Sequence, residues 1–305
     1  LNELIAETKA LAVRSSLCHY AWPGVGRAGQ SRLSVPLRTG FEVRRSDDWL
    51  ARVLKGKAWY TDLPVIYHAG FVDFTVVATI TKKRGRFFFS SIPDVYSGIA
   101  IASMVPSYVY SHEPLGINAA SNHSGGRAAL ATDPAASSAA MKFMSEDNIP
   151  FHPHVPLAPD GTTPKLVTPL VYEAYLQSRT LFPGDPISSP AEQMRLALKT
   201  APDKKSGQEW ARLFASKHGL DIAASRRRAF FERPARRILQ VFAGIRNELQ
   251  IARVWKMPAG ADDVFSASRH AGVILENRPP FSVRSCRLSK RMIEKILGGN
   301  HGFTQ

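Results

Sequence analysis

The pattern of apolar residues changes near residue 150, and this change constrains the fold more than any other feature of the sequence. Before it, short apolar runs bounded by Gly and Pro are typical of β-strands and alternate with helix-like segments. The predicted strands there are 63–67, 71–77 and 107–111, and the predicted helices are 1–12, 47–55 and 94–104. After it, periodic apolar residues predict helices over 170–179, 190–200, 207–217 and 236–256. The fold class expected is α/β, a sheet domain followed by a mostly helical extension.

A Pro-rich segment separates these two parts. Residues 149–169 are rich in Pro and include the turn sequence Asp160-Gly-Thr-Thr-Pro. We therefore predict a sheet domain over 1–148, a linker over 149–169 and a basic helical extension over 170–305. The first residues already resemble an amphipathic helix and lack an N-cap signal, which predicts that the chain begins inside a domain.

Charge and cysteine content narrow the class of protein. The 305 residues carry 40 Lys and Arg against 25 Asp and Glu, a formal net charge of +15, most of it after residue 150. Two cysteines provide neither a disulfide framework nor a zinc ribbon, which favours a reducing compartment. The most apolar stretch, 99–109, is too short for a membrane-spanning helix. These properties exclude collagen, disulfide miniproteins and integral helical membrane proteins.

The segment 82–98 contains the strongest candidate catalytic residue. A basic loop, Lys82-Lys-Arg-Gly-Arg86, precedes a predicted aromatic strand, after which Ser91-Ile-Pro-Asp94 predicts the start of a helix with Ser91 as cap. A carboxylate at a helix N-terminus beyond a strand is a common arrangement for a catalytic acid in open α/β sheets. Asp94 is therefore either a catalytic carboxylate or a capping residue only.

Several short motifs occur in an order that resembles bacterial family-2 glycosyltransferases of the GT-A fold. They are Tyr20-Ala-Trp-Pro-Gly24, Leu63-Pro-x-x-Tyr67, Gly70-Phe-Val72, Gly85-Arg-Phe-Phe, Pro93-Asp-Val-Tyr-Ser-Gly98 and Ser121-Asn-His-Ser-Gly125. The resemblance covers roughly residues 1–125 and matches the C-terminal portion of such a domain. It implies a partial GT-A-like, Rossmann-like sheet, and it gives Asp94 the role of the base that deprotonates the acceptor hydroxyl.

The same resemblance implies a metal site that this chain does not supply. The family holds a divalent cation, Mn or Mg, on the donor diphosphate with an Asp-x-Asp motif, and no such motif follows an apolar strand here. A phosphate-binding glycine loop is also absent. We therefore expect the metal only in a full-length enzyme, with the nucleotide-binding half upstream of residue 1.

Further residues are candidates for contacts with acceptor or donor. They are Tyr67, His68, Arg86, Tyr96, His112, His123 and Ser124. Arg86 could bind donor phosphate because a guanidinium makes bidentate contacts, and His123 lies in a Gly-rich turn suited to a metal or diphosphate. Each of them has the alternative of a packed or solvated residue. The pair His152-Pro-His154 is predicted to be a loop rather than a metal site, since no third ligand follows in sequence.

The function expected from these observations is transfer of a sugar from a nucleotide-sugar to a saccharide or lipid-linked acceptor in bacterial envelope or exopolysaccharide biosynthesis. The alternative is a noncatalytic basic module of similar shape that binds a membrane surface or a polyanion. The Arg-rich stretch 226–237 leaves open peripheral contact with anionic membrane, nucleic-acid binding or a solvated helix face. No nucleic-acid-binding motif accompanies it, so no nucleic-acid partner is expected, and the location expected is the cytoplasm, at the inner face of the membrane.

Overall fold

The computed structural model describes residues 1–23, 31–120, 149–164, 166–182, 184–201, 204–229, 251–254 and 263–277. Its strands are β1 Ala12–Ser15, β2 Cys18–Ala21, β3 Arg32–Pro36, β4 Phe41–Arg45, β5 Gly70–Val72, β6 Ser107–Ser111, β7 Ile117–Ala120 and β8 Ile251–Val254. Its helices are α1 Asn2–Thr8, α2 Ser46–Leu54, α3 Phe74–Arg84, α4 Pro93–Met104, α5 Val167–Ser178, α6 Pro190–Thr200, α7 Lys204–His218 and α8 Val264–Glu276. Residues 222–229 are also helical. Within these ranges no helix has the length and apolar character that crossing a membrane requires.

The strands form two four-stranded mixed sheets, each of which contains one parallel pair. One sheet has the order β4-β6-β1-β5 and the other β7-β2-β3-β8. β1 runs parallel to β6 with Val13 opposite Val109, and the chain continues into β2, which runs parallel to β7 with Cys18 opposite Ile117. All other pairings are antiparallel. The mixed α/β class predicted from the sequence is therefore confirmed.

Helix α4 lies at the centre of the main core. Every residue from Val95 to Ala102 is buried, because α4 packs against α2, α3 and α5 at once. The same hydrophobic cluster includes Tyr108 of β6, Tyr175 of α5 and Phe214 of α7. Residues on both sides of the predicted linker therefore share one core. A smaller core forms where α8 places Ala267 and Ala271 against β2 and β3.

Two predicted strands are wrong, and a third is confirmed only over 71–72. Residues 63–67 form turns, and 85–92 contain no strand, so the aromatic run Phe87–Phe89 does not lie in a sheet. In 71–77 the strand ends at Val72, and α3 begins because the Asp73 carboxylate accepts a hydrogen bond from Thr75 N at 2.8 Å. Val76 and Ile80, four residues apart, are then buried on one helical face, so helical periodicity prevails over the β-branched composition.

Most predicted helices are confirmed. The strand 107–111 is also confirmed, as are helices close to 47–55, 94–104, 170–179, 190–200 and 207–217. The first helix ends at Thr8 rather than near residue 12, because Lys9 adopts a left-handed conformation with φ 55°. The predicted helix 236–256 is wrong over 251–254, which forms β8, and its remainder lies outside the described residues.

Candidate functional site

The carboxylate of Asp94 lies in the first turn of α4, where two side chains from an earlier segment meet it. Tyr60 Oη donates a hydrogen bond to Asp94 Oδ2 at 3.1 Å, and His68 Nε2 lies 3.5 Å from the same oxygen. The side chains of Asp94 and His68 are 23% and 25% exposed, so solvent reaches both. We refer to Asp94, Tyr60 and His68 as the Asp94 site. The predicted cap is wrong, since the N-cap is Ile92 and not Ser91.

Tyr60 is positioned by a single helical turn, Tyr60–Asp62, whose backbone is bound by buried side chains of the sheet. Arg14 Nε, on β1, donates to Thr61 O at 2.5 Å, and Tyr108 Oη, on β6, donates to Asp62 O at 2.7 Å. The Asp62 carboxylate accepts from Trp59 N at 3.0 Å. These contacts fix the turn on the β1–β6 pair and direct Tyr60 toward α4.

His68 is positioned by a tight turn that requires glycine at its end. Ala69 has φ 50°, in the left-handed region, and a Cβ on Gly70 would lie 2.1 Å from Val65 O. Arg14 Nη1 also donates to His68 O. The buried guanidinium of Arg14 therefore connects the backbones that carry Tyr60 and His68, which explains why both side chains reach the same carboxylate.

Helix α4 approaches this segment closely because residue 98 is glycine. A Cβ at Gly98 would lie 2.7 Å from Val65 Cγ2, which is closer than two nonbonded carbon atoms approach each other in proteins. The hydroxyl of the preceding residue, Ser97, donates to Asp94 O at 2.8 Å and accepts from Ile66 N at 3.3 Å. Positions 94, 97 and 98 thus lie on one face of α4 and pack against the segment 60–70.

The environment keeps Asp94 ionised. Burial acts to raise the pKa of Asp94, but hydrogen bonds from His68, from the backbone of Val95 and from Tyr60 outweigh it and hold the pKa below its ordinary value. Burial and the neighbouring carboxylate raise the pKa of Tyr60, which stays protonated as a donor. At neutral pH the site therefore presents a carboxylate that can accept a proton from a bound hydroxyl.

The other predicted site residues lie in different environments. Tyr67 is exposed and next to His68, and Arg86 is exposed beside the ring of Phe89. The ring of Tyr96 is buried against Phe87 and Phe89, so Tyr96 belongs to the core and not to the Asp94 site. His112 is buried, with its ring 5.3 Å from that of Tyr110. His123 and Ser124 lie outside the described residues.

Sequence reasoning missed Tyr60 and Arg14. Nothing local marks Tyr60, since it lies 34 positions before Asp94 in a turn that was not predicted. Arg14 follows the apolar residues Ala12 and Val13 in the buried strand Ala12–Ser15, and a charged residue directly after such a run is the signal that could have identified it. The predicted loop at His152 and His154 is confirmed, although His218 of α7 brings a third imidazole, 6.0 Å from the His154 ring.

The described residues do not provide the metal site that the family resemblance implies. Over the ranges that the structure describes, no group of three or more His, Cys, Asp or Glu side chains could hold a metal ion. The imidazoles of His152, His154 and His218 do not form such a group. Nδ1 of His152 accepts from His154 N, and Nε2 of His218 bonds to His154 O. These residues therefore do not fit a divalent cation.

The chain matches no protein-family model, no curated protein and no solved structure. We therefore infer a function from the motifs of this sequence and from the geometry of the Asp94 site.

Proposed function

We propose that this chain is the acceptor-binding and catalytic portion of a glycosyltransferase of the GT-A class, with Asp94 as the base. The observation that carries the proposal is the ionised, solvent-accessible carboxylate of Asp94 at the start of α4, held between the Tyr60 hydroxyl and the His68 imidazole. A buried capping residue would not need two further polar side chains from a distant segment.

The assembly of the motifs supports the proposal. Leu63–Tyr67, Gly70 and Pro93–Gly98 are separated in sequence, yet each contributes to one site. Gly70 permits the turn that positions His68, and Gly98 permits α4 to approach Val65. Three of the six motifs that carry the resemblance to family-2 glycosyltransferases thus contribute to the Asp94 site. The GT-A assignment of the mixed α/β fold belongs to the same proposal.

The reaction is a displacement at the anomeric carbon of a nucleotide-sugar. The acceptor hydroxyl oxygen forms a bond to that carbon while its proton passes to the Asp94 carboxylate. The bond from the anomeric carbon to the diphosphate oxygen breaks, and its electron pair leaves with the nucleoside diphosphate. Tyr60 and His68 orient Asp94, and proximity of the bound hydroxyl supplies much of the rate.

The partners proposed are a nucleotide-sugar donor and a saccharide or lipid-linked saccharide acceptor of bacterial envelope or exopolysaccharide biosynthesis. Such acceptors place the enzyme in the cytoplasm at the inner face of the membrane. Exposed Arg226, Arg227 and Arg228, which begin the Arg-rich stretch, favour peripheral contact with anionic lipid.

The decisive experiment compares two helix-starting aspartates. Sugar transfer is measured with a panel of UDP- and GDP-sugars and Mn, on the longest native polypeptide that carries this sequence. Asp94→Asn is expected to lower turnover about 10²–10⁴-fold, as removal of a general base does. Asp73→Asn is the matched control. Asp73 also lies at the start of a helix, where it caps α3 through Thr75 N, and it does not belong to the Asp94 site.

Two results would contradict the proposal. If Asp94→Asn folds and keeps wild-type turnover, Asp94 is a capping residue only. If the wild-type polypeptide transfers no sugar but binds anionic vesicles or a polyanion, the chain is the noncatalytic basic module instead.

A further inference from the structure

Three imidazole rings lie next to one another where the Pro-rich segment meets α7. The centroid of the His154 ring lies 5.3 Å from that of His152 and 6.0 Å from that of His218. The His218 ring in turn lies 4.3 Å from the ring of buried Phe214. We call His152, His154 and His218 the histidine clasp. The proposed reaction uses none of these residues, so the clasp requires a separate explanation.

The side chain of His152 closes a tight turn of the backbone. Pro153 occupies the second position of this turn, and Val155 N donates to His152 O at 3.0 Å. Within the turn, His154 N donates to His152 Nδ1 at 3.2 Å. The imidazole therefore satisfies the amide two residues later, as the side chain of Asn does in an Asx turn.

Helices α5 and α7 bind this turn from two directions. On α5, the Glu173 carboxylate accepts a hydrogen bond from His152 N at 3.1 Å. On α7, His218 Nε2 bonds to His154 O at 2.8 Å. The turn thus connects the two helices through its backbone, and the His152 ring maintains the backbone conformation that both contacts require.

The hydrogen bonds of the clasp differ in their response to acid. Nδ1 of His152 accepts from His154 N only while it carries no proton, so protonation removes this bond and brings two N–H groups face to face. Nε2 of His218 meets a carbonyl oxygen and donates to it, which both the neutral and the charged imidazole do. Charged rings at these separations also repel each other. His152 is therefore the acid-sensitive member of the clasp.

The surroundings of His152 oppose its protonation. Burial and the neighbouring His154 hold the pKa of His152 below its ordinary value of 6.5. Folding favours the neutral ring, and this contribution is lost as pH falls from the ordinary value through the folded-state value. Among the described residues, the titratable side chains that meet the turn from packed helices are Glu173 and His218. Glu173 acts with the opposite sign, because burial raises its pKa and it favours folding most at low pH.

We propose that the histidine clasp is a pH-sensitive device that holds the turn 152–155 on α5 and α7 near neutral pH and releases it in acid. The bonds from Gln177 Nε2 to Pro150 O and from Trp210 Nε1 to Pro156 O flank the turn and involve no titratable group. The opening therefore stays local. This inference is independent of the proposed function, since no residue of the Asp94 site takes part in it.

The test observes the turn directly by NMR on the full chain. Near neutral pH, the nitrogen chemical shifts of His152 should show a proton on Nε2 and none on Nδ1. The protection factor of the His154 amide against hydrogen exchange should fall about tenfold between about pH 7 and about pH 5, the effect of losing one hydrogen bond. A neutral His152 ring with its proton on Nδ1, or unchanged protection of the His154 amide, would overturn the proposal.

The variant His152→Asn separates the clasp from the titration of Glu173. The Asn side-chain oxygen accepts the same amide bond at every pH, so this variant should retain the turn and lose the acid response to within about twofold. His270→Asn is the matched control, because it removes an imidazole from α8 that bonds to Ser266 O, and it should respond to acid as the wild type does.

An acid response that persists in His152→Asn would assign the effect to Glu173 or His218 and contradict the proposal. If His152→Asn does not fold, the nitrogen chemical shifts of the wild-type His152 ring decide the question by themselves. A proton found on Nδ1 near neutral pH would then exclude the acceptor role on which the clasp depends.

Discussion

Two carboxylates on neighbouring helices lie in opposite environments. Asp94, at the start of α4, is partly exposed, and its pKa is lowered. Glu173, in the middle of α5, is fully buried, and burial raises its pKa despite hydrogen bonds from Ser90 Oγ at 2.5 Å, Gln177 Nε2 at 2.9 Å and His152 N at 3.1 Å. The buried carboxylate has three donors and no contact with solvent, whereas Asp94 is accessible to solvent.

The two environments separate a structural carboxylate, Glu173, from the proposed catalytic one, Asp94. Glu173 connects α5 to the segment before α4 through Ser90, and to the Pro-rich segment through His152. It therefore stabilises the packing of the C-terminal helices on the sheet domain. Asp94 instead contacts Tyr60 and His68 of the segment 60–70, and we propose that these contacts orient the base.

Removing the buried carboxylate should have the largest effect on stability. Glu173→Ala leaves the Ser90, Gln177 and His152 donors without their acceptor and creates a cavity, so we expect a loss of about 2–4 kcal/mol in the free energy of unfolding. Urea denaturation followed by circular dichroism measures it. Glu7→Ala, on the exposed face of α1, should stay within about 0.5 kcal/mol. Equal changes in the free energy of unfolding for the two variants would show that Glu173 has no structural role.

Filling the contact between α4 and Val65 should have the next largest effect. Gly98→Ala brings Cβ against Val65 Cγ2 and is expected to destabilise the fold by about 1–3 kcal/mol. Adding Val65→Ala should recover part of the loss, because it removes the clashing methyl group. Gly272→Ala is the control, since that helical position in α8 has open space, and it should stabilise by about 0.5–1 kcal/mol. Additive losses in the double variant would exclude this contact as the cause.

The pH dependence of stability should differ in sign between the two carboxylates. Because its folded-state pKa is raised, Glu173 favours folding most at low pH, and that contribution is lost as pH rises from the ordinary value of 4.5 through the folded-state value. Relative to Glu173→Gln, the wild type should therefore lose free energy of unfolding as pH rises. Thermal denaturation of both proteins over a pH series tests this, and a difference independent of pH would contradict the raised pKa.

Removing the Asp94 carboxylate should have the smallest effect on the free energy of unfolding. The pH dependence of that effect should be opposite in sign to that of Glu173. The lowered pKa of Asp94 stabilises the folded state above the ordinary value of 3.8, and that contribution is lost as pH falls through the folded-state value. Asp94→Asn should change the free energy of unfolding by about 0.5–1 kcal/mol at neutral pH. The same pH series measures it. If Asp94→Asn loses as much free energy of unfolding as Glu173→Ala, then Asp94 has a structural role and the two carboxylates do not differ in function.

Local signals in the sequence determined the elements that build the core. Proline at the first position of α4 and the capping box of Ser189 and Glu192 at α6 act within one helical turn, so they can be read without knowledge of the fold. The same reasoning placed Asp94 at a helix start. The sequence-based prediction is wrong for most of 71–77, where the β-branched residues indicated a strand. The structure has helix α3 there, and its local signals are the cap residue Asp73 and the terminal Gly85.

Only the tertiary structure decided what surrounds Asp94. The partners Tyr60 and His68 lie 34 and 26 positions earlier, in turns whose shape depends on a buried Arg14 and on the close approach that Gly98 allows. Such contacts arise from packing between distant segments, where burial and hydrogen bonding to the sheet outweigh local propensity. For that reason the sequence determined that a carboxylate begins α4, and the fold determined that this carboxylate is ionised, hydrogen-bonded and accessible to solvent.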